Sequence, residues 1–138
     1  FIRKNTKLPL ILKGITHPSY AKKAIEFGVD GIVVSNHGGR VLDTLVTTMD
    51  ILPKIVEVVD NKIPILLDGG ITRGTDILKA LALGASAVMI GKPIMYGLAT
   101  AGALGVAHSL KILKDELEIS MALTGCKTLK DINKDILF

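Results

Sequence analysis

Four short stretches of the chain set ionisable side chains beside glycine: Lys13-Gly14, Ser35-Asn36-His37-Gly38-Gly39-Arg40, Asp68-Gly69-Gly70 and Gly91-Lys92-Pro93. Taken singly, each has a plain structural explanation. A lysine can end a strand in solvent, and a loop imidazole can bond to backbone. Asp-Gly-Gly can make a tight turn with an Asx hydrogen bond, and Gly-Lys-Pro can lead into a helix. Together they are harder to explain by packing, because each follows directly on an apolar run. Glycine lets backbone N–H groups approach an anion closely, and a following helix N-terminus adds partial positive charge. The chemistry expected is therefore phosphate binding at Gly69-Gly70 and Gly91-Lys92, with Lys13, His37, Arg40 and Asp68 nearby.

The elements that must position these residues are legible in outline. Apolar runs at Leu8–Lys13, Gly31–Ser35, Ile63–Leu67 and Ala87–Ile90 are near-continuous, as suits strands covered on both faces in a parallel sheet. Between them lie segments of helical periodicity. Pro18 or Ser19 opens one that Gly28 closes, and a second runs from Thr48 to Val59, where Pro53 is tolerable only in the first turn. The third spans Thr75–Leu83 with Gly84 beyond it. A long apolar-rich stretch from Ile94 to Leu123 should break or kink around Gly102 and Gly105, and a short polar helix is expected near Leu129–Asp135. Strand, helix, strand implies right-handed parallel crossovers, and function in such sheets gathers at the carboxyl ends of the strands. Residues 1–138 read as one unit of four βα modules.

That unit is only about half of the roughly 250 residues of a closed eight-stranded α/β barrel. Such barrels often bind phosphate after strands seven and eight, and if Gly69-Gly70 and Gly91-Lys92 follow the last two strands, the chain is strands five to eight. The composition agrees with a packed α/β core: 49% hydrophobic, 22% charged and 4% aromatic residues, with no Trp. A net charge of +4 arises from scattered lysines without aromatic interleaving, which argues against nucleic-acid binding. Cys126 is alone and cannot form an internal disulfide. No apolar run reaches the ~18 residues of a membrane span, no metal-binding set is evident, and residues 1–10 do not resemble a signal peptide. The start at Phe1 without Met suggests a fragment or processed product. The terminus Asp135-Ile136-Leu137-Phe138 lacks a Ser-Lys-Leu-type address, which makes the cytoplasm the default location and leaves the peroxisome open.

Four motifs carry a resemblance. They are Lys13-Gly14, Ser35-Asn36-His37-Gly38-Gly39-Arg40-x-x-Asp43, Leu67-Asp68-Gly69-Gly70-Ile71-x-Arg73-Gly74-Thr75-Asp76 and Lys79-Ala80-Leu81-Ala82-Leu83-Gly84-Ala85. From about Leu8 to Ile132 the chain resembles the carboxy-terminal half of the FMN-dependent 2-hydroxy-acid oxidases and dehydrogenases, among them glycolate oxidase, lactate oxidase and flavin-dependent lactate dehydrogenase. The resemblance implies oxidation of an (S)-2-hydroxy acid to a 2-oxo acid with reduction of FMN. It makes His37 the base, Arg40 the clamp on the substrate carboxylate, and Lys13 the charge beside the flavin N1/O2 edge. Ser35 would contact the flavin and Asp68 the ribityl hydroxyls. The backbones of Gly69, Gly70 and Gly91 would face the phosphate. Family members carry Arg where this chain has Thr72 and Lys92, so Thr72 loses a charge, Lys92 keeps one without the guanidinium fork, and Arg73 stands one position along.

Strands one to four of the family supply the rest of the pocket, including an aspartate that pairs with the histidine. Three readings stay open: an incomplete half of the enzyme, a non-catalytic flavin- or phosphate-binding module, and a self-associating half-barrel. A second copy, or a complementing amino-terminal half, is the expected partner.

Overall fold

The computed structural model describes residues 1–137. Phe138, the last residue of the stretch read for a targeting address, lies outside them. The four apolar runs become parallel strands β1 (Ile11–Ile15), β2 (Gly31–Val34), β3 (Ile65–Leu67) and β4 (Ala87–Val88), neighbours in chain order. Helices α2 (Pro18–Glu26), α3 (Thr48–Val59) and α4 (Gly74–Ala82) make the crossovers. The helix α1 (Ile2–Asn5) precedes β1, and α5 (Lys92–Leu123) follows β4. This is the expected α/β arrangement, four parallel strands of a (β/α)8 barrel left as an open sheet.

Two strands begin later than expected because proline has no N–H to give to a ladder. Pro9 precedes β1 and Pro64 precedes β3, which start at Ile11 and Ile65. Strand β4 shrinks to two residues, though the Met89 amide still donates to the Leu67 carbonyl at 2.8 Å. Alternation along the strands sorts the side chains by face. Ile32, Val34, Ile65 and Leu67 join Ala21, Ala24, Leu52, Ile55, Val59, Ile77 and Ala80 in one buried core between sheet and helices. The register aligns Lys13, Val33, Leu66 and Ala87 on the other face. At the free edge Ile11 and Leu12 are 50% and 42% exposed, whereas all of β2 is buried. A bulge at Gly14 (φ 95°) lets Lys13 keep the inner face while Ile15 returns to the helix side.

The helix signals read from the sequence have definite counterparts. His17 caps α2 by accepting the Ser19 amide, Pro18 stands at its start, and Gly28 (φ 70°) follows its end. Thr47 caps α3, which has the expected range, by accepting the Asp50 amide; Pro53 lies past the first turn, where it is costly, and deprives the Met49 carbonyl of its helical donor. The last helix does break, at Ala101 and Gly102, into arms of residues 92–100 and 103–123. Gly105 marks no second kink. It is where the arms touch, since a Cβ there would lie 1.9 Å from the Gly97 carbonyl oxygen. The polar segment near Leu129–Asp135 is two 3-10 turns, Leu129–Asp131 and Lys134–Ile136.

No sequence signal announced α1. Its Arg3 pairs with Asp30, whose carboxylate also accepts the Leu10 amide at 2.6 Å. The Leu10 amide and then the Arg3 guanidinium hold the Asp30 carboxyl below the usual carboxylate range. Among the described residues, no helix is long and apolar enough to cross a membrane.

Candidate functional site

The carboxyl ends of the four strands bring the singled-out residues to one rim. Lys13, on β1, sends its ammonium across the inner face to two partners, donating to Ser35 Oγ at 2.7 Å and pairing with Asp68 Oδ2 at 2.9 Å. Ser35 is buried, and its Oγ also accepts the His37 amide at 3.1 Å. One lysine therefore ties together the ends of β1, β2 and β3. The second oxygen of Asp68, Oδ1, is buried without a hydrogen-bond donor. A buried carboxylate oxygen left in this way is uncommon and costs stability unless a ligand or water supplies the donor.

The residues after Ser35 form a tight 3-10 turn, His37–Gly39, in which all three have left-handed backbone, with φ of 56°, 66° and 72°. For glycine this is ordinary, but for histidine it is strained. Anchors on both sides hold it: Asn36 Oδ1 accepts the Gly38 amide at 3.0 Å, and Lys92 Nζ donates to the Gly38 carbonyl at 3.2 Å. The turn leaves the side chains of His37 and Arg40 exposed at the rim.

The two glycine-led helix starts differ. At α4, Asp76 Oδ2 accepts the amides of Thr72 and Arg73 and the Thr72 hydroxyl, at 3.0, 2.9 and 3.2 Å. Glu116, from α5, accepts the Gly74 amide at 2.8 Å and pairs with Arg73 at 2.7 Å. The amides and guanidinium available to an anion there already have carboxylate partners. At α5, Gly91 makes no side-chain cap, and the first-turn amides of a helix have no acceptor within it. A Cβ at Gly70 or Gly91 would meet nothing within 4 Å, so backbone there is open to close approach.

Sequence reasoning gave no role in the site to Asn36, Thr48, Asp76 or Glu116. Asp76 had a findable signal, an acid at the third position of α4, whose carboxylate accepts the amide of the N-cap residue Arg73. Glu116 had none, because it lies 43 residues from Arg73. Among the described residues, no cluster of His, Cys, Asp and Glu is arranged to hold a metal.

All 138 residues match the family model described as FMN-dependent dehydrogenase. The chain belongs to this family. Proteins similar to this chain include a 2-hydroxyacid oxidase of Dictyostelium discoideum, 52% identical over 138 residues, which are 100% of this chain and 36% of that protein. A peroxisomal (S)-2-hydroxyacid oxidase of Arabidopsis thaliana is 55% identical over 135 residues, 98% of this chain and 37% of the relative. An L-lactate oxidase of Nostoc is 51% identical over 137 residues, 99% and 38% of the two chains. A crystal structure of mandelate oxidase superposes with a TM-score of 0.92 at 46% identity, over 96% of this chain and 39% of that one. The chain thus spans little more than a third of the length of these relatives, and FMN is the cofactor of its family.

Proposed function

We propose that the chain forms the flavin-facing rim of an enzyme oxidising an (S)-2-hydroxy acid to a 2-oxo acid. The observation that carries this is the Lys13–Ser35–Asp68 cluster, with a buried carboxylate oxygen still in need of a donor, directly beneath the His37 turn. A polyol hydroxyl such as those of the ribityl chain would satisfy Asp68 Oδ1. Lys13 would place positive charge at the flavin N1/O2 edge, with Ser35 beside it. The open backbone at Gly70 and Gly91, with that of Gly69 beside it, would face the phosphate, helped by the Lys92 ammonium, with the Thr72 position at its border. Arg73 is left out of this set because Glu116 holds it.

Bound FMN supplies the acceptor for two electrons. His37, exposed on its turn, takes a proton from the substrate, and Arg40 meets the substrate carboxylate with its planar fork. Abstraction of a carbon proton and hydride transfer are both served by this residue set.

The phosphate assignment has a direct test in Thr72→Arg combined with Lys92→Arg. Each restored charge-assisted contact is worth on the order of 1–3 kcal/mol, so FMN should bind roughly ten- to a hundredfold more tightly per contact, less any loss from ordering the side chains. Flavin fluorescence quenching at two salt concentrations reads this, with the gain shrinking as salt rises. Absence of quenching by either protein at millimolar flavin would remove the cofactor site from this chain alone.

The sheet edges bear on assembly. Ile11 and Leu12 are exposed along the unpaired β1 edge and Met89 just beyond β4 at the opposite edge, which makes the open sheet prone to association. A second copy, or the complementing part of a barrel, would cover it. Light scattering at tens of micromolar should show a species larger than one chain, and a stable monomer would refute association.

A further inference from the structure

The turns that carry His37 and Asp68 come from different strands, and they meet where Asn36 lies against Gly69, next to a buried hydroxyl that holds the Gly69 carbonyl. Thr48, the first residue of α3, is 1% exposed, and its Oγ1 donates to the Gly69 carbonyl at 2.9 Å. Gly69 has φ of 85°, and a Cβ on it would lie 2.6 Å from Asn36 Oδ1 and 3.4 Å from the Thr48 side chain. Asn36 Oδ1 is the same atom that accepts the Gly38 amide, and its Nδ2 reaches the Val46 carbonyl at 3.5 Å. The Asp68–Gly70 turn therefore rests on the amide group that organises the His37–Gly39 turn, with Thr48 fixing its carbonyl from below.

We infer that Thr48 is a positioning residue, locking the turn that carries Asp68 to the turn that carries His37 so that the two move as one body. A partly buried carbonyl that loses its side-chain donor keeps much of the cost of desolvation without the bond, so the turn would shift towards water. Because Asn36 lies against Gly69, that shift reaches the Gly38 amide without passing through the core. The coupling is a property of this chain. Its consequence for flavin rests on the function proposed above.

Thr48→Val keeps shape and removes the donor, while Thr48→Ser restores it. Hydrogen exchange of individual amides distinguishes local from global effects. The amides of residues 37–39 and 68–70 should exchange at least tenfold faster in Thr48→Val, with Ile32, Val34 and Ile55 unchanged and with Thr48→Ser near the original. Unchanged turn amides would overturn the inference, as would a uniform loss of protection across the core. Should Thr48→Val not fold, Asn36→Ala serves instead. It should loosen residues 68–70, to which Asn36 makes no hydrogen bond, and protection retained there would equally overturn the coupling. FMN titration of the same variants is the second arm, with weaker quenching expected for Thr48→Val. If the original chain binds no FMN, the cofactor reading fails while the exchange result still decides the coupling.

Discussion

Replacing His37 with Gln, in a protein completed to the length of its relatives, is expected to lower turnover of an (S)-2-hydroxy acid by about 10²–10⁴-fold with flavin still bound. The imidazole is the exposed nitrogen base on the His37–Gly39 turn, and an amide cannot take up a proton near neutral pH. Backbone strain is a competing cause, because residue 37 has φ of 56° and Gln is no better suited to that region than His. His37→Asn separates the two effects. Asn enters left-handed backbone readily, so the turn should be at least as stable while activity stays lost. Arg40→Lys should act differently, mainly raising KM, because an ammonium keeps the charge and loses the two-point match to a carboxylate. Steady-state kinetics with bound flavin followed by absorbance would give the answer. Near-normal turnover in either His37 variant would end the assignment of this residue as the base.

A large effect on stability is expected from Gly74→Ala. Gly74 opens α4 where that helix crosses α5, and an added Cβ would lie 2.2 Å from the Leu117 nitrogen and 2.4 Å from the Glu116 carbonyl carbon. Both are helical backbone, so no side chain can swing aside. One helix must shift, breaking the Gly74 amide bond to Glu116 and disturbing Leu113, part of the main core. Overpacking of this kind costs about 1–3 kcal/mol or more, far above the small gain alanine brings to a helix. Thermal or urea unfolding of the two proteins measures it, and equal stability would show that the crossing is looser than described. As Gly74 donates to a carboxylate rather than facing the inner rim, the substitution also tests whether α4 holds the Asp68–Gly70 turn in place.

These two residues illustrate how far the chain can be read without coordinates. His37 was legible because its chemistry is local: an ionisable residue among glycines, directly after an apolar run, has few structural reasons to be there. The parallel strands were legible for the same kind of reason, and their starts moved only where Pro9 and Pro64 withheld a donor. Gly74 and Arg73 were not, since what defines them is Glu116 on a helix far along the chain. Thr48 also looked like nothing more than a helix start, because its partner, the Gly69 carbonyl, is brought up by a different crossover. The break in α5 could be expected from its glycines, but which glycine bends and which is a contact depends on the arms folding back.

The strand order has a bearing on how the molecule comes to be folded. Each strand pairs with the one immediately before it, so the sheet can be assembled in the order of synthesis, every module closing on a surface that already exists. The three closures are unequal. The crossover between β2 and β3 contains, besides its helix, the whole stretch from His37 to Thr47, whereas the others pass into a helix within a few residues. Loop closure becomes costlier with length, if only slowly. The segment that carries the reactive imidazole is thus also the one that most delays the joining of the two halves of the sheet.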